Sequence, residues 1–102
     1  MKLLKTTYYF IGIGGVGMSA LARLCVLRGA HVFGYDRVQS KVTLELEKIG
    51  ITIVYDERLE AIPPSVLDKQ TGIVYTAAIP NTHPQLNYFI KEGFSVKKRA
   101  LF

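Results

Sequence analysis

Short runs of consecutive apolar residues alternate along this chain with segments in which apolar positions recur every three or four residues, and glycine or proline stands at most boundaries. Runs of the first kind read as strands buried on both faces, and the recurring spacing reads as helix. Tyr8 to Ile13 is predicted as the first strand. Val16 to Arg28 follows as a helix, with Val16, Ala20, Leu21, Leu24 and Leu27 at helical spacing and Gly29 where a left-handed cap belongs. His31 to Tyr35 forms a second strand that ends at Asp36. Ser40 caps a second helix with a buried stripe of Val42, Leu46 and Ile49 and a stop at Gly50. Ile51 to Tyr55 is a third, β-branched strand. Between Asp56 and Gln70 the pattern supports only a turn of helix at Leu59 to Ile62, ended by Pro63-Pro64. Ile73 to Thr76 is a fourth strand. Pro84 then opens a helix carrying Leu86, Phe89 and Ile90, closed by Gly93, and Phe94 to Val96 is a fifth strand.

Strand and helix alternating in this way imply an α/β fold with right-handed crossovers: a Rossmann-like, doubly wound, parallel five-stranded sheet in the order 3-2-1-4-5. Such sheets bind ligands beyond the carboxyl ends of their strands, where the order reverses between strands one and four. Three turns meet there, at Gly12 to Ser19, Asp36 to Ser40 and Thr76 to Asn81.

The first of these turns carries the clearest chemistry. Gly12-Ile13-Gly14-Gly15-Val16-Gly17 satisfies G-x-G-x-x-G, after a strand and at the mouth of a helix. Gly12 permits the tight turn, Gly14 leaves bare backbone for a phosphate, and Gly17 lets the helix pack near the strand. Unpaired amides at a helix start carry about half a positive charge, so a pyrophosphate gains hydrogen bonds and dipole together. Ser19 offers a further hydroxyl donor or a local cap. Asp36 stands where an acid accepts bonds from a ribose hydroxyl or a base, and also where a helix-capping Asp would stand. Arg37 suits a phosphate contact and an exposed surface position equally. Thr76, Ala77 and Ala78 end strand four at the same crevice, either making room for a ligand or packing a loop closely.

Composition narrows the function classes. The chain has 102 residues, 49% hydrophobic and 21% charged, which is the balance of one ordinary folded domain, expected over residues 1–98. Cys25 is the only cysteine, so an internal disulfide is excluded; it suits a core position in a reducing, cytoplasmic setting. The apolar run after Met1-Lys2-Leu3-Leu4-Lys5 leads into glycines rather than a cleavage site, and no run approaches the roughly 18–20 apolar residues of a membrane span. The net charge of +5 invites a nucleic-acid reading. However, the basic clusters, Lys2/Lys5 and Lys97-Lys98-Arg99, sit near the chain ends without interleaved aromatics, which favours solvated surface over a nucleic-acid partner. His31 and His83 are read as surface or cap residues, no Cys/His cluster has metal-ligand spacing, and no nucleophile–base pair or G-x-x-x-x-G-K-[ST] loop is present. The chain alone is expected to catalyse nothing and to hold no metal or cofactor of its own.

At Gly12-Ile13-Gly14-Gly15-Val16-Gly17-Met18-Ser19-Ala20-Leu21-Ala22 the sequence resembles the Mur ligases, the ATP-dependent amide ligases of peptidoglycan synthesis. Gly34-Tyr35-Asp36 is similar to the family's Gly-Ser-Asp. Ser40, Thr43, Leu46 and Gly50 fit its second helix. Val74-Tyr75-Thr76-Ala77-Ala78-Ile79-Pro80 is similar to Val-Tyr-Ser-Ser-Ala-Ile-Pro, Pro84-Gln85-Leu86 to Pro-Glu-Leu, and Arg99-Ala100 to the family's Arg-Ala. The resemblance implies a domain that holds the UDP part of UDP-N-acetylmuramate. Its site residues would be Gly12, Ile13, Gly14, Gly15, Val16, Gly17, Met18, Ser19, Asp36, Arg37, Thr76, Ala77 and Ala78. It also implies ATP and Mg2+ on a following domain, reached through a segment that starts at residues 99–102, and L-alanine as the amino acid of the branch it most resembles. In that reaction the muramate carboxylate becomes an acyl phosphate, which the alanine amine attacks. The chain departs from the family at three places: Ala77 replaces a serine, Asp56-Glu57 stands where many relatives have Gly-His, and His83 stands where Asn commonly caps the helix. The tripeptide-recycling branch, with Cys-Gly-Thr in its first turn, is the second reading within the family. Outside it stand an NAD-binding domain in which Asp36 contacts the adenosine ribose, and a scaffold with an empty crevice.

Overall fold

The strand order is set by how each helix returns the chain to the sheet. In the computed structural model, which describes residues 4–99, the elements are β1 (Thr7–Ile11), α1 (Val16–Leu27), β2 (His31–Tyr35), α2 (Lys41–Lys48), β3 (Thr52–Val54), β4 (Gly72–Tyr75), α3 (Pro84–Lys91) and β5 (Ser95–Lys98), with 3₁₀ turns at Leu59–Ala61 and Pro64–Val66. All four strand pairings are parallel, in the order β3-β2-β1-β4-β5. The doubly wound α/β sheet expected from the alternation is present.

Strand ends shift by a residue or two, for local reasons. β1 stops at Ile11 because the Gly12 and Ile13 amides leave the ladder and both donate to the Tyr35 carbonyl, at 2.8 and 3.0 Å. Ile51 is not the start of β3, because its amide closes the end of α2 on the Leu46 carbonyl at 3.2 Å. Phe94 likewise donates to Phe89 at the end of α3 and precedes β5. Of the stretch read as the opening of a further segment, Ala100 to Phe102 lies outside the described residues, as do Met1 to Leu3, Lys2 among them.

Alternating side chains of β1 feed two cores. Tyr8 and Phe10 pack with Ile13, Val32, Val74 and the faces of α1 and α2, whereas Tyr9 and Ile11 pack with Tyr35, Ile73, Ile62, Val66, Phe94 and the face of α3. The stripe expected on α1 is not the buried one. Val16 and Leu27 are 88% and 82% exposed, and Met18, Ser19, Ala22 and Cys25 face the sheet. This helix is apolar around most of its circumference, so spacing alone does not choose a face. The small side chains of Ala22 and Cys25 let it approach the sheet. On α2, Thr43 is wholly buried beside Leu46, while Ile49 lies at the cap, half exposed. The Thr43 hydroxyl tolerates burial because it belongs to a capping box: Ser40 N–H donates to Thr43 Oγ1 at 2.8 Å and Thr43 N–H to Ser40 Oγ at 3.2 Å.

A buried polar tie fastens the irregular segment after β3. The Tyr9 hydroxyl donates to Gln85 Oε1 at 2.7 Å, and Gln85 Nε2 donates to the carbonyls of Asp56 and Arg58, each at 2.9 Å. Every polar atom of the Gln85 amide head thus has a partner, as burial demands. Burial also pushes the Tyr9 hydroxyl well above its ordinary value. Among the described residues no helix is long and apolar enough to cross a membrane.

Gly34 sits on β2 directly beneath Ile13, and a Cβ there would lie 2.5 Å from Ile13 Cδ1 and 2.9 Å from its Cβ. Gly34→Ala is therefore expected to destabilise the chain by about 1–3 kcal/mol through overpacking. Ile13→Val in the same chain should restore part of the loss, since it removes the nearest atom. Urea unfolding of both single variants and the double variant checks this, and an unchanged midpoint for Gly34→Ala contradicts it.

Candidate functional site

The glycine turn is held from three sides. Gly12 has φ +91, in the left-handed region that only glycine adopts readily, and a Cβ on it would stand 2.6 Å from Thr76 Cγ2 and 3.4 Å from Ile79 Cδ1. The first turn therefore rests directly against the loop that follows β4. The Gly14 amide donates to Asp36 Oδ2 at 2.7 Å, and Asp36 Oδ1 accepts from the Val38 amide at 3.3 Å. A Cβ on Gly14 would lie 2.7 Å from that same Oδ2 and 3.2 Å from Thr43 Cγ2, so the bare face of Gly14 is turned toward Asp36 and α2. One carboxylate thus joins the first turn to the loop after β2.

Beyond this turn α1 begins with open donors. Gly15 is its N-cap with no side-chain bond, the first amide to close is that of Ser19 on the Gly15 carbonyl at 2.8 Å, and the first turn holds no acidic residue. The amides of Val16, Gly17 and Met18 have no partner among the described residues. The Arg99 guanidinium is set against this helix start. Its Nε donates to the Gly17 carbonyl at 3.3 Å, and a Cβ on Gly17 would meet the guanidinium at 3.1 to 3.3 Å. Gly17 is therefore the seat of an arginine. A guanidinium beside the positive end of a helix dipole is two positive poles together, an arrangement that an anion between them relieves.

The other residues singled out in the sequence fall into distinct places. The side chains of Ile13 and Met18 are buried in the core, at 0% and 2% exposure, which leaves only their main chain at the turn. Ser19 is buried and its hydroxyl donates to the Val16 carbonyl at 3.0 Å, the local use rather than an outward donor. Val16 stands exposed at the lip. Thr76 packs on Gly12 with its amide on the Ile11 carbonyl at 3.4 Å, and Ala77 and Ala78 are exposed on the rim beyond it. Arg37 is exposed on the loop after β2. Three pairs are brought together: Gly12 with Thr76, Gly14 with Asp36, and Gly17 with Arg99. In the sequence Arg99 reads as part of a solvated basic cluster and, through the family resemblance, as the start of a following segment, not as a site residue. Its place immediately after the fifth strand, on the ligand side of the sheet, was the signal available.

Away from the turn, His83 is 3% exposed and caps α3, its Nδ1 accepting from the Leu86 amide at 3.4 Å. The Tyr35 ring stands edge-on to it with centroids 4.8 Å apart. Burial lowers the His83 imidazole below its ordinary value, partly opposed by Glu57. Burial likewise raises the Tyr35 hydroxyl, with the Glu57 and Asp36 charges adding to it, and pushes the Cys25 thiol up to about 11. Asp56 is paired with the Arg58 guanidinium at 2.6 Å, which holds its carboxyl below the usual range. Among the described residues no group of three or more His, Cys, Asp or Glu converges as a metal ion would need.

Comparison with known proteins agrees with this geometry. The sequence model described as "Mur ligase family, catalytic domain" matches residues 7–102. A UDP-N-acetylmuramate–L-alanine ligase of Flavobacterium psychrophilum is 45% identical over 92 residues, which cover 90% of this chain and 20% of the relative. The ligase of the same name from Porphyromonas gingivalis is 46% identical over 93 residues, again 90% of this chain and 20% of the relative. Among solved structures, the UDP-N-acetylmuramate–alanine ligase of Thermotoga maritima superimposes with a TM-score of 0.82 at 26% identity, over 93% of this chain and 21% of that one. A UDP-N-acetylmuramate:L-alanyl-γ-D-glutamyl-meso-diaminopimelate ligase from Neisseria, at TM-score 0.75 and 19% identity over 93% of this chain and 29% of that one, shares the fold. The chain spans about a fifth of the length of the curated relatives it matches. On the family match and the sheet that carries it, the chain belongs to the Mur ligase family.

Proposed function

We propose that this chain is the UDP-holding domain of a UDP-N-acetylmuramate–L-alanine ligase, acting in peptidoglycan synthesis in the cytoplasm. The observation that carries the reading is the junction of three unpartnered amides, at Val16, Gly17 and Met18, with the Arg99 guanidinium seated on Gly17. Open helix-start donors beside a guanidinium suit a diphosphate, and the names of relatives 45% and 46% identical favour a UDP-sugar as its carrier. In this reading Asp36 shapes the approach by holding Gly14 and Val38, and Thr76, Ala77 and Ala78 border the nucleoside. The chain binds and orients the nucleotide end of the substrate so that the muramate carboxylate projects toward the rest of the enzyme. For the family's ATP and Mg2+ the sequence offers no G-x-x-x-x-G-K-[ST] loop, and among the described residues no group of three or more His, Cys, Asp or Glu converges. Their sites, and that of L-alanine, are assigned to parts of the enzyme outside this chain. The names of the relatives favour this reading over an NAD-binding domain of the same architecture.

At concentrations near 100 times Kd, UDP-N-acetylmuramate should stabilise the chain by about 2.7 kcal/mol. For a domain of this size that raises the thermal midpoint by roughly 10–20 °C, while NADH leaves it in place. A shift with NADH and none with UDP-N-acetylmuramate contradicts the proposal. Arg99→Gln should weaken UDP by on the order of ten- to a hundredfold, the weight of a charge-assisted hydrogen bond of about 1.5–3 kcal/mol, and should flatten the salt dependence of binding while leaving uridine unaffected. Calorimetric titration measures both, and equal UDP affinity in the two proteins would remove Arg99 from the site.

A further inference from the structure

His83 Nε2 is a buried side-chain nitrogen without a hydrogen-bond partner among the described residues. The other ring nitrogen fixes the tautomer. Because Nδ1 accepts from the Leu86 amide, it carries no proton, and a neutral ring then carries its proton on Nε2. Any added proton must go to Nδ1. It would remove the acceptor that caps α3, bury a cation, and set that cation at the positive end of the helix dipole.

The groups that face this ring come from three elements. Tyr35 on β2 stands edge-on at 4.8 Å between centroids, and Glu57, after β3, is the charge that favours a protonated ring. The remaining charges nearby act on Tyr35, and most are engaged: Asp56 with Arg58, and Asp36 with Gly14 and Val38, while Arg37 is exposed. On α3 itself, Gln85 is committed to Tyr9 and to the carbonyls of Asp56 and Arg58. Desolvation outweighs Glu57, so the ring is harder to protonate folded than unfolded.

The position of His83 gives this consequence. Its amide donates to the Pro80 carbonyl at 3.0 Å and the Ile79 amide to the Thr76 carbonyl at 3.0 Å, so His83 anchors the far end of the loop whose near end packs on Gly12. The Tyr35 it touches is the residue whose carbonyl takes the Gly12 and Ile13 amides. We propose that His83 is a positioning residue whose uncharged ring locks the β4–α3 rim of the nucleotide crevice against the end of β2, and that gaining a proton releases this rim. The inference rests on the proposed function only in taking that rim as part of the nucleotide site.

The sign follows from linkage. A folded-state value below the unfolded value of about 6.5 means that the contribution of the lock to stability is complete above about pH 6.5 and is lost as the pH falls below it toward the folded value. Hydrogen-exchange protection of the Leu86 amide reads the lock itself. Affinity for UDP-N-acetylmuramate, whose doubly esterified diphosphate does not titrate near neutrality, reads the rim. Both should fall several-fold between pH 7.5 and 5 in the unsubstituted chain, and both should stay nearly flat in His83→Asn, where the amide oxygen caps without titrating. Nitrogen NMR of the unsubstituted chain, which needs no variant, should show the Nε2–H tautomer at pH 7.5. The Nδ1–H tautomer, an equal loss of Leu86 protection in His83→Asn, or nucleotide affinity that ignores pH while Leu86 responds would each overturn the inference. Absence of UDP-N-acetylmuramate binding at pH 7.5 counts instead against the proposed function, and pH-dependent Leu86 protection would still support the lock.

Discussion

The Tyr35 carbonyl at the end of β2 accepts two consecutive amides, those of Gly12 and Ile13, and the rest of the crevice at the carboxyl ends of the strands depends on that pair of hydrogen bonds. It takes the chain out of β1 at the point where φ at Gly12 becomes positive, drives the Ile13 side chain into the core over Gly34, and leaves Gly14 facing Asp36. With the turn fixed, α1 has one way to leave it: Met18, Ala22 and Cys25 toward the sheet, and its first three amides without a hydrogen-bond partner among the described residues. The open helix start is therefore a by-product of how a strand is ended, fixed by backbone bonds and by the Asp36 carboxylate.

Electrostatic balance at the crevice is unequal. The helix start and Arg99 are both positive and lie together, whereas the nearby carboxylate of Asp36 is already engaged by the Gly14 and Val38 amides. A bound anion would meet unsatisfied donors on one side and, on the other, a carboxylate already accepting two amide bonds. This is the physical content that family membership acquires in this chain. The glycines make room for protein groups, with Gly12 accommodating Thr76, Gly14 accommodating Asp36 and Gly17 accommodating Arg99.

Much of this was legible in the sequence. The apolar runs and their glycine stops point to all five strands, the three α-helices and their order, because the central strands, buried on both faces, have few polar positions to confuse their reading; β5, which ends on the exposed Lys97 and Lys98, reads short, and the 3₁₀ turn at Pro64–Val66 leaves no periodic signal. Helix faces were harder. α1 is apolar nearly all round, so Val16 and Leu27 read as core and are exposed, and on α2 the buried position beside the expected Leu46 is Thr43, a polar residue made harmless by its cap. The glycine turn and Asp36 were visible as motif, but their mutual hydrogen bond was not, since nothing in a spacing of residues says which atoms meet. Arg99 was hidden among lysines at the chain end, and only the pairing of β4 with β5 carries it round to the helix start. His83 was read as a surface or cap residue. It is a cap, and its burial comes from Tyr35 and α3, which are distant in sequence.

The central claim is that open peptide nitrogens at the head of α1, together with one guanidinium, receive a diphosphate. Two-dimensional proton–nitrogen NMR of the chain during titration with UDP tests it residue by residue. The account predicts that the largest shifts fall on the backbone amides of Val16, Gly17 and Met18 and on the Arg99 side-chain Nε. Saturating UDP that leaves those four signals in place while moving others would contradict it.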